Sequence, residues 1–158
     1  MAYFNVDQDG FWEIGPESLD WQRVLAEAIG VKIARFPLGD PDDPNVPAVS
    51  VLFMPPGYEL WRHKHDCHRF EAIIRGSMRV GDRTLGPGDI MTSAPNQPYG
   101  PYSIGPDGCV TVEVFSTLEG MASVVDDDTD PRAVEWLKGL LDDPDPARRE
   151  AARNQFGF

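Results

Sequence analysis

Hydrophobic and polar positions alternate in short runs through the middle of the chain, and Gly and Pro cut the runs apart. Ala48–Met54 (AVSVLFM) is apolar and β-branched and stops at the turn signal Pro55-Pro56-Gly57. The same pattern predicts strands at Glu59–His65, Arg69–Arg75, Met78–Val80, Arg83–Leu85, Asp89–Ser93 and Cys109–Ser116. Gly76, Gly81-Asp82, Gly86-Pro87-Gly88 and Gly105-Pro106-Asp107-Gly108 separate them. Turn signals every eight to twelve residues or so mark an antiparallel sandwich or barrel. Strands do not alternate with long helices, so a doubly wound parallel sheet is disfavoured.

The flanks read differently. Ser18–Ala28 has a Ser or Asp able to cap a helix, with Trp21, Val24, Leu25 and Ile29 at helical spacing. Val31–Phe36 reads as an extra strand, and Pro41–Pro47 (PDDPNVP) as a loop. Past the strands, residues 125–130 form an acidic connector. Pro131 suits a first helical turn, and Ala133, Trp136, Leu137, Leu140 and Leu141 repeat with helical period. The apolar face of that helix is expected to dock on the barrel or on a second subunit. Residues 146–158 read as a weak helix or a fraying end. The expected organisation is a single β-domain over 1–125, with its barrel core at about 31–117, followed by a helical extension over 126–158.

Composition narrows the function. The chain has 158 residues and a formal charge of −12, from 14 Lys+Arg and 26 Asp+Glu. Gripping nucleic acid or an anionic membrane requires clustered cations, which this balance does not supply. The charge is uneven: residues 1–50 carry −6, 51–125 carry −2 and 126–158 carry −4. No apolar run is long enough to span a bilayer and the first residues lack a basic and apolar leader pattern, so a cytoplasmic location is expected. Cys67 and Cys109 lack CxxC spacing and read as reduced thiols.

All three histidines lie within six residues, in Arg62-His63-Lys64-His65-Asp66-Cys67-His68-Arg69-Phe70-Glu71. Residues i and i+2 of a strand face one side, so His63 and His65 can aim both imidazoles into one space as neutral donors to a metal. Two His and a carboxylate with open positions suit Fe(II), and also Mn, Zn or Ni.

Gly57-x5-His63-x-His65-x10-Gly76 resembles the first motif of the cupin superfamily, a small β-barrel or jelly roll. Gly88-Asp89 and the following strand and turn through Tyr99 are similar to its second motif. The resemblance spans roughly residues 31–117 and implies an all-β, cupin-type barrel with short flanking helices. It departs from the family in two places: Arg69 stands where the ligand Glu falls, and Tyr99 where the second-motif His falls. Three site readings follow. Glu71, on the same parity as Arg69, completes a His63/His65/Glu71 metal site; or His68 is the third nitrogen; or no metal is held, Arg69 pairs with Glu71, and the cup binds an organic ligand directly.

The resemblance implies a cupin-type metalloenzyme, in first place an Fe(II)-dependent dioxygenase acting on a small organic molecule. Tyr99 would donate a hydrogen bond, and Arg69 or Arg62 would steady an anionic group. Two alternatives stand beside it: a non-catalytic ligand-binding or sensor cupin with a degraded metal site, and a metal-independent isomerase, cyclase or lyase using Tyr99 and Glu71. A homodimer is also expected by resemblance.

Overall fold

The computed structural model describes residues 1–157. Its strands are β1 (Lys32–Pro37), β2 (Ala48–Met54), β3 (Glu59–Leu60), β4 (Arg69–Val80), β5 (Arg83–Leu85), β6 (Ile90–Ser93) and β7 (Tyr102–Phe115). The helices are α1 (Asp20–Ala28), α2 (Pro131–Leu140) and α3 (Pro146–Phe156). All strand pairs are antiparallel, and the sheet runs β1-β2-β7-β4-β5, with β3 also on β7 and β6 also on β4. The all-β antiparallel architecture with short flanking helices is as expected. No helix among the described residues is long and apolar enough to cross a membrane.

Two strands run through glycines that the sequence reads as breaks. β4 continues past Gly76, and β7 continues through Gly105-Pro106-Asp107-Gly108. The pairing moves from Gly76↔Cys109 to Met78↔Ile104, so β7 spends its extra residues in a bulge rather than a turn. Gly76 has φ +73°, and a Cβ there would lie 2.0 Å from the Gly108 carbonyl oxygen, so only glycine fits this crossing.

The sheet has two unlike faces. The 3₁₀ turn Phe11–Glu13 covers the outer one, where Phe11 packs with Ala34, Val51 and Val110. The closed end of the inner face holds Met54, Ile73, Met78, Tyr102, Ile104 and Cys109. Farther along that face lies a polar row set by register: Arg35 opposite Ser50, Ser50 opposite Glu113, and Glu113 opposite Glu71. All four are buried.

The helices form a second apolar cluster. Leu25 of α1 meets Leu137 and Leu140 of α2 and Ala151 and Ala152 of α3. Asp130 caps α2 and Asp145 caps α3, each accepting a backbone N–H, and Pro follows each cap at the first helical position. The apolar stripe of α2 is thus used inside the chain, by helices on either side of the sheet in sequence. Residues 146–156 form a regular helix; Phe158, at the end of the expected weak helix, lies outside the described residues.

Candidate functional site

A pocket of about 220 Å³ lies between the inner face of the sheet and the helices. Its sheet side is lined by Ile33, Ser50, Leu52, Glu113 and Phe115 together with His63 and His65, and its helix side by Leu25, Ala26, Trp136 and Leu137.

The two histidines do not sit on the expected strand, because β3 ends at Leu60. They are fixed instead by single bridges, His63 to Tyr99 and Lys64 to Val124. Alternation still holds across the three residues, and the imidazole centroids are 5.3 Å apart. His63 Nδ1 lies 2.8 Å from the Trp61 carbonyl, and His65 Nδ1 lies 3.1 and 3.2 Å from the carbonyls of Gly120 and Ala122. A carbonyl only accepts, so Nδ1 carries the proton in both rings and Nε2 keeps its lone pair. Gly120 permits this contact: a Cβ there would meet Cys67 Sγ at 2.6 Å, so the 118–122 segment could not approach His65 with any larger residue. Burial lowers the His63 pKa, and burial together with His63 and Arg69 lowers that of His65 further. Both rings are therefore neutral at neutral pH.

Arg69 fills the space beside them. It is buried, donates to Glu71 and, at 3.0 Å, to Glu113, and lies 4.3 Å from the centre of the Tyr99 ring. Burial opposes its charge, but Glu113, Tyr99 and Glu71 outweigh that and raise its pKa. Glu71 is fully buried; burial and then the neighbouring Glu113 push its pKa up to about 7, against the pull of Arg69. Burial also raises the Tyr99 pKa, so that phenol stays protonated. Several atoms of this layer lack partners: Glu71 Oε1, Arg69 Nε, Thr111 Oγ1 and Ser50 Oγ.

His63, His65 and Tyr99 are thus brought together, with Tyr99 at 4.4 Å from His63, centroid to centroid. Glu71 is beside Arg69 rather than grouped with the imidazoles. His68 is exposed, its backbone joined to Ser116, and it does not line the pocket. Arg62 is exposed at the rim. Cys67 is buried among Phe115, Leu118 and Met121 as a core residue.

Glu113 and Ser50 were not singled out from the sequence. The signal was present: Thr111 and Glu113 share the parity of Cys109 and Phe115 in CVTVEVF, so a strand burying Phe115 also turns Glu113 inward. The usual rule of polar-out alternation conceals it, because here the outward Val110 and Val112 are covered by the N-terminal segment.

The metal expectation is tested by this donor set. Two imidazoles with fixed Nδ1–H tautomers present the lone pairs a metal needs. Beyond that the fit fails: among the described residues no three His, Cys, Asp or Glu side chains are grouped to hold an ion. The expected third ligand, Glu71, is held by Arg69, whose fixed charge already depresses both histidines and would oppose a divalent cation.

No family model and no curated protein matches the chain. Solved structures do. A chain in the complex of Rhodobacter sphaeroides SigE with the anti-sigma ChrR is similar at 21% identity and TM-score 0.46 over 54% of this chain; this chain spans 44% of that one, under half its length. An RmlC-like cupin protein from Ralstonia eutropha is similar at 15% identity and TM-score 0.46, over 74% of this chain and 80% of that one. Oxalate decarboxylase from Bacillus subtilis is similar at 20% identity and TM-score 0.49, over 81% of this chain and 32% of that one. The chain is an all-β antiparallel protein whose motif around His63 and His65 resembles that of the cupin superfamily.

Proposed function

We propose that the chain is a cupin that binds a small organic molecule directly, without a resident metal, in the pocket between sheet and helices. The observation that supports this best is the pairing of Arg69 with Glu71 and Glu113 beside His63 and His65. The site carries its own buried cation and commits its carboxylates to it. An apolar pocket with a few convergent polar groups is the ordinary form of a small-molecule site, and an apolar cavity of ~150 Å³ already takes benzene. The Fe(II)-dependent dioxygenase expected by resemblance would need Glu71 or Glu113 to leave Arg69, which would strand a buried guanidinium.

A second reading is favoured by one further observation. Two neutral imidazoles that line the pocket, each with an Nε2 lone pair, are matched to proton transfer at neutral pH. Metal-independent isomerase, cyclase or lyase chemistry fits that set, with an Nε2 accepting a proton from bound substrate.

The test is metal analysis of tag-free protein with ligand binding measured before and after chelation. The expected result is well under one metal per chain, no uptake of added Fe(II), and binding unchanged by chelator. Stoichiometric metal that is lost on His63→Ala would overturn the reading and restore the metalloenzyme.

A further inference from the structure

The wall of the pocket that carries its polar groups is chemically one-sided. Ser50 and Glu113 are opposite one another on β2 and β7, and Phe115, two residues along the same face, packs 4.9 Å from the His65 ring. Ser50, Glu113, His63 and His65 therefore form one wall. Each imidazole offers Nε2 as an acceptor, since Nδ1–H is spent on a backbone carbonyl. Glu113 accepts from Arg69 through a carboxyl oxygen. Ser50 lines the pocket and is 1% exposed, and its buried Oγ has no partner.

Cations do not balance these acceptors. Arg69 is tied to two carboxylates and is not among the lining residues, and Arg62 is exposed at the rim. The other polar lining groups do not tip the balance. Tyr58 and Ser123 offer hydroxyls, each able to donate or accept, and the buried Gln22 Nε2, without a partner, is a neutral donor that adds no positive charge. Gln155 donates its amide to the Ser123 carbonyl and Thr129 its hydroxyl to the Val124 carbonyl. The helix side is apolar apart from Gln22 and Gln155, and it reaches Trp136, whose ring lies 5.9 Å from that of Trp61.

We infer that the pocket selects a neutral ring compound with hydroxyl donors at one end, a phenol or cyclic alcohol, against carboxylates and against ethers of the same shape. The ring lies among Leu25, Leu52, Trp136 and Leu137, and its hydroxyl donates to the imidazole and carboxylate acceptors while Ser50 Oγ gains its missing partner. The inference rests on the direct-binding reading above. It also reverses the expectation that Arg69 or Arg62 steadies an anionic group.

The experiment is an NMR titration of the full chain, following the indole N–H signals of Trp61 and Trp136, with phenol, resorcinol, anisole and benzoate as probes. Phenol and resorcinol are expected to bind at least about tenfold more tightly than anisole, as lost hydrogen bonds to charged and buried acceptors dictate, with benzoate weakest. Ser50→Ala is expected to narrow the phenol-to-anisole ratio; an unchanged ratio overturns the part given to Ser50. Benzoate equal to phenol, or anisole equal to phenol, overturns the inference while leaving a small-molecule pocket in place. Failure of every probe to shift either indole overturns both readings together.

Discussion

Replacing Glu71 by Gln isolates the energetics of the buried cluster. Glu71 is fully buried, so no solvent screening weakens its interactions. Its pKa is raised from 4.5 to about 7, and the raised value fixes the sign: the fold prefers the protonated acid, so this group's contribution is fully present below 4.5 and is lost as pH rises through 7. At 1.36 kcal/mol for each tenfold change in proton activity, the loss across that window is about 3 kcal/mol. Gln keeps a carbonyl oxygen for Arg69 and offers Glu113 an N–H where the protonated acid offers an O–H, but it does not titrate. Urea unfolding followed by Trp fluorescence, from pH 4.5 to 8, should show the variant close to wild type at pH 4.5 and more stable by up to about 3 kcal/mol above pH 7. His63 and His65 titrate in both proteins, so their effect largely cancels in the difference. A difference flat across the window, or one favouring wild type at high pH, would show that Arg69, and not burial with Glu113, governs Glu71.

The lowered pKa values of His63 and His65 act in the opposite direction: their stabilising effect is present above the unfolded value near 6.5 and is lost as pH falls toward the folded values, so His65→Phe should reduce the acid-side loss of thermal stability, measured as Tm against pH. Gly76→Ala should lower stability by at least ~2 kcal/mol in chemical denaturation, since its Cβ meets the Gly108 carbonyl and its φ is positive. Lys64 holds Asp126 at 2.5 Å and Asp128 at 2.8 Å, so Lys64→Met should speed amide exchange across 126–130 while leaving protection in β4 and β7 intact; equal protection in the variant would refute the anchoring role.

The strand pattern was legible where apolar runs ended at unambiguous turns. β2 matches its expected span end for end, and β5 does too. It failed where a glycine served a bulge. Gly76 and Gly105–Gly108 look like turns locally, and only the close crossing of two chains shows why glycine is needed there. Of the candidate site, His63, His65 and Tyr99 were readable from spacing and resemblance. Arg69 and Glu71 were readable as an inward pair, and their pairing was one of the open alternatives. Glu113 was not, because it comes from a strand about 40 residues away and its inward parity matters only once β7 lies between β2 and β4. The docking of α2 was likewise half legible: its stripe announced a partner, and the partner turned out to be α1 and α3.

The roof and the wall of the pocket come from different parts of the chain. Sheet hydrogen bonds fix Ser50 and Glu113, whereas Leu25, Trp136 and Leu137 belong to helices that share no ladder with the strands. Hydrogen-bonding chemistry and ligand shape can therefore vary separately. A substitution at Trp136 reshapes the room without moving an acceptor, and one at Ser50 alters polarity without moving the roof. Related chains could diverge in ligand through α1 and α2 while their barrels stay the same, and for this protein the helices are where a change of specificity should be engineered first.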